Sequence, residues 1–213
     1  MNQNTQKNRP QISILVTDLD NTLWNWFDIW YGSFKPFLDE LVRETKIPEA
    51  ILKSEIKLVH EHHRTCEYSH VLEELPCLQA RYGMHFDATE KLPTVVKAFR
   101  DGRRNTSSLY PGVSEALRAI KSNGTVIVGF TESQFYYTAQ RIQTLGLDGI
   151  LNFLYTTEDS GSEQLRLERT KSGAFDGLKQ TKTVILPTHA TKPDATLLLS
   201  ILEDFSFSKR NSG

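Results

Sequence analysis

Residues 12–24 read ISILVTDLDNTLW, and the fold turns on how this stretch changes character partway along. Ile12, Ile14, Leu15 and Val16 make a short, mostly β-branched apolar run. Its length and composition are those of a strand buried on both faces in a parallel sheet. Asp18, Asp20, Asn21 and Thr22 follow directly. In an open α/β sheet, ligands bind at the carboxyl ends of the strands. Two carboxylates held close together there repel each other as anions unless a cation sits between them. Taken alone, Asp-x-Asp is equally compatible with a strand closing in an Asx-type turn, since Asp and Asn favour turns for local reasons.

The chain has 213 residues, enough for one α/β domain with a sizeable insertion or for two small domains. A net charge of −1 gives no reason to expect nucleic acid or an anionic membrane surface as partner. No apolar run approaches the roughly 20 residues of a membrane span. Residues 1–11 are polar, lack the apolar middle of a signal peptide, and read as a disordered tail. Cys66 and Cys77 make no disulfide framework, so reduced thiols in the cytoplasm are expected.

Downstream of the first strand, residues 23–31 (LWNWFDIWY) are dense in aromatics. They read chiefly as packing between a core and an inserted segment, with the wall of an apolar substrate pocket as the alternative. Residues 33–102 read as helical. Phe37, Leu38, Leu41 and Val42 fall on one helical face, and Pro48 suits the first residue of a long helix running to Leu75. Pro76 breaks it, the short segment CLQARYG follows, and a further helix covers residues 92–99. Residues 100–108 (RDGRRNTSS) have the composition of a hinge. Arg100, Arg103 and Arg104 read as a solvated hinge face rather than as contacts to an anionic substrate.

The α/β pattern then resumes. Pro111-Gly112 opens a helix that Gly124 stops, and TVIVGF (residues 125–130) is a second buried strand ending in Thr131-Glu132-Ser133. A helix follows, then a short strand at residues 153–156. Residues 158–182 read as a polar loop and 183–186 as another short strand. Lys192-Pro193-Asp194 precedes a helix with Leu197, Leu198, Ile201, Leu202 and Phe205 on its apolar face.

An apolar strand followed by Asp-Leu-Asp-Asn-Thr-Leu resembles the first motif of the haloacid dehalogenase-like hydrolases, most of which are aspartate-nucleophile phosphatases. VIVGFTES resembles their second motif, a strand ending in a Thr or Ser that holds a phosphoryl oxygen, and TKPDATLLL resembles their third, a Lys before a helix. The resemblance implies a Rossmann-like parallel core over residues 12–32 and 103–213, with an α-helical cap over residues 33–102. It implies a Mg²⁺-dependent phosphate-monoester hydrolase, similar to phosphoglycolate phosphatases, acting on a small phosphorylated metabolite. Asp18 would be the nucleophile and Asp20 the general acid and base. Mg²⁺ would be held by the Asp18 carboxylate and the Asp20 backbone carbonyl. Thr131, Glu132 and Lys192 would bind the substrate phosphate, and Thr22 would shape the turn beyond. Dehalogenase members typically lack an aspartate at the place of Asp20, which favours ester hydrolysis; phosphomutases share such an acid and base.

The family's fourth motif, an apolar strand ending in a metal-binding carboxylate, has no counterpart here. Glu203 and Asp204 do not replace it, because they lie at the end of a helix. The expectation is a truncated or decayed family member, with weaker metal binding, an unpaired edge on the first strand, and a non-catalytic protein as the alternative. His60, His62, His63, Cys66 and His70 crowd the expected long helix, where His63, Cys66 and His70 would share one face. A polar helix face, or residues facing substrate, is the favoured reading over a transition-metal site.

Overall fold

The computed structural model describes residues 12–159, 177–187 and 191–210. The expected tail and most of the loop expected at residues 158–182 lie outside them. Four strands, β1 (Ile14–Thr17), β2 (Val126–Gln134), β3 (Phe153–Thr157) and β4 (Lys182–Leu186), form one wholly parallel sheet in the order β1-β2-β3-β4. Helices α6 (Val113–Ser122), α7 (Phe135–Thr144) and α8 (Ala195–Arg210) accompany the sheet. The fold is therefore α/β with a Rossmann-like parallel core.

Side chains alternate across a strand, and β2 shows what that does here. Ile127 packs with Leu19, Trp24, Leu117, Ile142 and Leu154 on one face, while Val128 and Phe130 pack with Tyr155, Leu186 and Ile201 on the other. The second face is covered by α8 through Leu197, Ile201 and Phe205, but Leu198 is exposed, so the apolar stripe of α8 is narrower than its sequence suggests. Among the described residues β1 pairs with β2 alone and stands at the sheet edge. Its four residues are half-buried for that reason, rather than buried on both faces.

Between β1 and α6 the chain is helical and builds a separate core from Phe37, Leu38, Leu41, Leu52, Ile56, Leu75, Leu78, Leu92 and Val95. Helix α1 (Trp26–Thr45) starts earlier than its Phe37–Val42 face suggested. Asn25 caps it: its side-chain oxygen accepts from the Asp28 N–H at 3.1 Å, and its amide donates to the Asp28 carboxylate at 2.7 Å. Helix α2 (Glu49–His63) ends twelve residues short of Leu75, because Arg64 takes the left-handed conformation (φ 53°) and turns the chain. A 3₁₀ turn (Leu72–Glu74) and three helices follow, α3 (Pro76–Tyr82), α4 (Ala88–Lys91) and α5 (Pro93–Thr106). Pro76 is thus the first residue of a helix rather than only the end of one.

The expected hinge is no loop, since α5 runs through it to Thr106. Gly102 is there for its size. A Cβ at this position would lie 2.3 Å from the Gly32 carbonyl oxygen of α1. That carbonyl receives no helical hydrogen bond from Pro36, which has no N–H, and the two helices cross in close contact at this point. No described helix is long and apolar enough to cross a membrane.

Candidate active site

The turn after β1 is fixed by its own backbone. The N–H groups of Thr22 and Leu23 donate to the Leu19 carbonyl at 3.1 and 2.8 Å, and Asn21 takes a left-handed conformation (φ 59°) that Asn tolerates well. Leu19 is fully buried, so Asp18 and Asp20 on either side of it project the other way. The Thr22 hydroxyl does more than shape the turn: it donates to Asp18 Oδ2 at 2.8 Å.

Lys192 reaches Asp18 from beyond β4. Its Nζ contacts Asp18 Oδ1 and donates to the Phe130 carbonyl at 2.6 Å. The loop carrying Lys192 is tied down in turn, its backbone N–H donating to Glu132 Oε1. Burial alone would raise the Asp18 pKa. Hydrogen bonds from Lys192 and Thr22, together with the lysine charge, outweigh it and hold this carboxyl below the usual Asp range. The Asp18 side chain is still 42 % exposed.

Asp20 faces a different set. Its Oδ1 accepts from Trp24 Nε1 at 2.7 Å and lies 3.4 Å from an Arg141 guanidinium nitrogen; its Oδ2 accepts from the Ser133 hydroxyl and lies 3.5 Å from Thr131 Oγ1. Thr131 and Ser133 reach it because β2 loses register with β3 between Phe130 and Gln134. Such irregularities re-aim side chains next to functional sites. The irregular stretch is held by Thr156 and Thr157, whose hydroxyls donate to the carbonyls of Ser133 and Glu132 at 2.6 and 2.9 Å. Asp18, Asp20, Thr131, Glu132 and Lys192 thus meet at the carboxyl ends of β1 and β2.

The donor set suits a hard cation. The Asp18 carboxylate and the Asp20 backbone carbonyl would offer only oxygen, and the exposure of Asp18 leaves room for the waters that Mg²⁺ retains. Among the described residues no group of three or more His, Cys, Asp or Glu side chains could hold a metal ion. That includes the histidine-rich segment: with α2 ending at His63, Cys66 and His70 no longer share a helical face with it. His63 instead bonds the Glu74 carboxylate at 2.9 Å and stacks on Tyr68.

A buried ion network joins the helical layer to this site. Glu67, just past α2, contacts an Arg141 guanidinium nitrogen from α7 and accepts from Arg103 of α5 at 3.1 Å. The Arg141 side chain is 1 % exposed and also faces Asp20. Arg103 is no solvated hinge residue; its guanidinium lies over the Tyr137 ring, 3.9 Å from the centroid. Desolvation works against ionised Glu67, yet the charges of Arg141 and Arg103 keep its pKa below the ordinary value. Arg141 was legible in part: it lies one helical turn beyond Tyr137, beside Ile142, on the buried face of α7, where a cation requires a partner.

The family model for haloacid dehalogenase-like hydrolase matches residues 15–164. No curated protein matches the chain. Solved structures similar to it include a haloacid dehalogenase-like family hydrolase from Xanthomonas campestris, 15 % identical, covering 76 % of this chain and 68 % of that one with TM-score 0.43. Another is described as a β-phosphoglucomutase from Thermotoga maritima, 14 % identical, covering 89 % and 91 % with TM-score 0.41. A third is a predicted phosphoglycolate phosphatase from Haemophilus somnus, 16 % identical, covering 76 % and 72 % with TM-score 0.36.

Proposed function

The chain belongs to the haloacid dehalogenase-like hydrolases, and from that premise we propose that it hydrolyses phosphate monoesters through an aspartyl-phosphate on Asp18. One observation carries the reading. A lysine-paired, solvent-facing Asp18 and a second carboxylate, Asp20, meet at one strand end beside the hydroxyls of Thr131 and Ser133.

The chemistry needs a nucleophile, a proton source and positive charge on the phosphoryl oxygens. Asp18, kept ionised by Lys192, attacks phosphorus; its bond to phosphorus forms as the bond to the leaving oxygen breaks. Asp20 gives its proton to that oxygen, so that an alcohol departs rather than an alkoxide. In the second half Asp20 takes a proton from water as the water attacks phosphorus, releasing inorganic phosphate and restoring Asp18. Thr131 and Lys192 hold the phosphoryl oxygens, and Glu132 keeps the Lys192 loop in place. Mg²⁺, carried by the Asp18 carboxylate and the Asp20 backbone carbonyl, would offset the negative charge that substrate and nucleophile bring together. Residues 33–102 would act as the cap, anchored to the core by the Glu67–Arg141 pair.

The proposed substrate is a phosphorylated metabolite, met in the cytoplasm. Release of inorganic phosphate from a panel of monoesters, with and without Mg²⁺, tests the proposal. Metal-dependent release that Asp18→Asn abolishes is the expected result. Absence of release, or release indifferent to that substitution, would overturn it.

A further inference from the structure

Beside Glu132 and Ser133 a cleft of about 930 Å³ opens between the helical layer and the carboxyl end of the sheet. This is the upper end of the roughly 300–1,000 Å³ typical of ligand pockets, far more than a two- or three-carbon acid fills. Ser133 lines it, and the Ser133 hydroxyl donates to Asp20 Oδ2. The cleft therefore adjoins Asp20, the proposed acid for the leaving oxygen, through Ser133.

Helix α1 contributes Trp26, Trp30 and Phe34 to the lining, one helical turn apart. Their rings form a ladder: Trp26 and Trp30 lie 17° apart in plane with centroids at 6.1 Å, Trp30 and Phe34 9° apart at 5.0 Å. Both indole N–H groups are already engaged, Trp26 with Glu67 Oε2 at 3.3 Å and Trp30 with the Cys66 carbonyl at 3.2 Å. These bonds fix the rings and leave ring carbon, not donors, toward the cleft. Against this wall a polyol would gain no hydrogen bond; the polar groups of the cleft, among them Lys57, Glu61 and Arg64, stand on α2 and the turn after it. A flat aromatic group would gain dispersion and ring–ring contact.

We propose that the substrate is a phosphate monoester of an alcohol bearing a planar aromatic ring system, seated against Trp26, Trp30 and Phe34. The proposal rests on the phosphatase reading of the same site. Its test uses phosphonates, which bind without being hydrolysed. With the full chain in Mg²⁺, calorimetry compares methylphosphonate, cyclohexylmethylphosphonate and naphthalen-2-ylmethylphosphonate. The aromatic ligand is expected to bind roughly ten-fold more tightly than either of the others. Trp30→Ala should remove that preference and Trp30→Phe should keep most of it. Tyr31→Ala, on the same helix but outside the cleft lining, should leave it intact. Equal affinity for the cyclohexyl and naphthyl ligands, or a preference that survives both Trp30→Ala and Phe34→Ala, would overturn the proposal. Preference for the aromatic ligand without phosphate release from any ester would leave this binding site standing and remove the hydrolase reading. Release from small aliphatic esters without that preference would do the opposite.

Discussion

Two ion pairs in this molecule look alike on paper and sit in opposite surroundings. At the end of β1, Asp18 and Lys192 meet with side chains 42 % and 27 % exposed. Between the helical layer and α7, Glu67 and Arg141 meet with side chains 10 % and 1 % exposed. The open pair contributes little to folding, because water and side-chain entropy offset its attraction, and its carboxylate remains free to react. In the closed pair each charge is held by the other at low exposure, and breaking it strands a charge in a dry environment. Exposure therefore separates the pair proposed to react from the one that fastens.

Substitution of the open pair should move activity and spare stability. Asp18→Asn is expected to lower kcat by about 10⁴-fold or more, in line with the loss of other catalytic nucleophiles. Its urea midpoint should correspond to a change below about 1 kcal/mol. The closed pair should behave in reverse. Glu67→Ala leaves Arg103 without its carboxylate and Arg141 with only the more distant Asp20, and should cost about 3–5 kcal/mol in the same denaturation experiment. This loss also depends on pH. The Glu67 pKa is lowered on folding, so the stabilisation is present in full above the ordinary Glu range, near about 4.3. It is lost as pH falls through the lowered folded value, and wild type and Glu67→Gln should converge there.

A smaller effect marks the packing that brings Arg103 to Glu67. Gly102→Ala drives a methyl against the Gly32 carbonyl and should destabilise by about 1–3 kcal/mol, read as a drop in Tm. The smallest effect sharpens the open pair. Carbon-detected NMR titration should place the Asp18 midpoint below the model-peptide value of about 3.9, and Lys192→Met should raise it. An unchanged midpoint in that variant would remove Lys192 as the cause.

The elements of the candidate site were legible because their signals are local. An apolar run broken by Asp-x-Asp, a strand ending in Thr131 and a Lys-Pro before a helix each carry their chemistry within a few residues. The Glu67–Arg103–Arg141 network spans more than seventy positions of sequence, from Glu67 to Arg141, and no short window contains it. The aromatic stretch held both readings at once. Trp24 is core, fully buried with its N–H on Asp20, whereas Trp26 and Trp30 line the cleft. The early start of α1 was available in the Asn25–Asp28 spacing, and the helix carries Pro36 in its interior. The end of α2 at Arg64 was not legible, since arginine carries no preference for the left-handed conformation it adopts there. The hinge composition of residues 100–108 misled for a related reason: its glycine serves close helix contact rather than freedom of the backbone.

On the proposed route phosphate passes through a covalent bond to Asp18. Borohydride reduces an aspartyl-phosphate to homoserine, so mass spectrometry of the peptide spanning residues 12–35, after turnover, an acid quench and reduction, reads that bond directly. Homoserine at position 18, formed only when substrate and Mg²⁺ are both present, is the predicted result. Sustained phosphate release with an unmodified aspartate at position 18 would contradict the account.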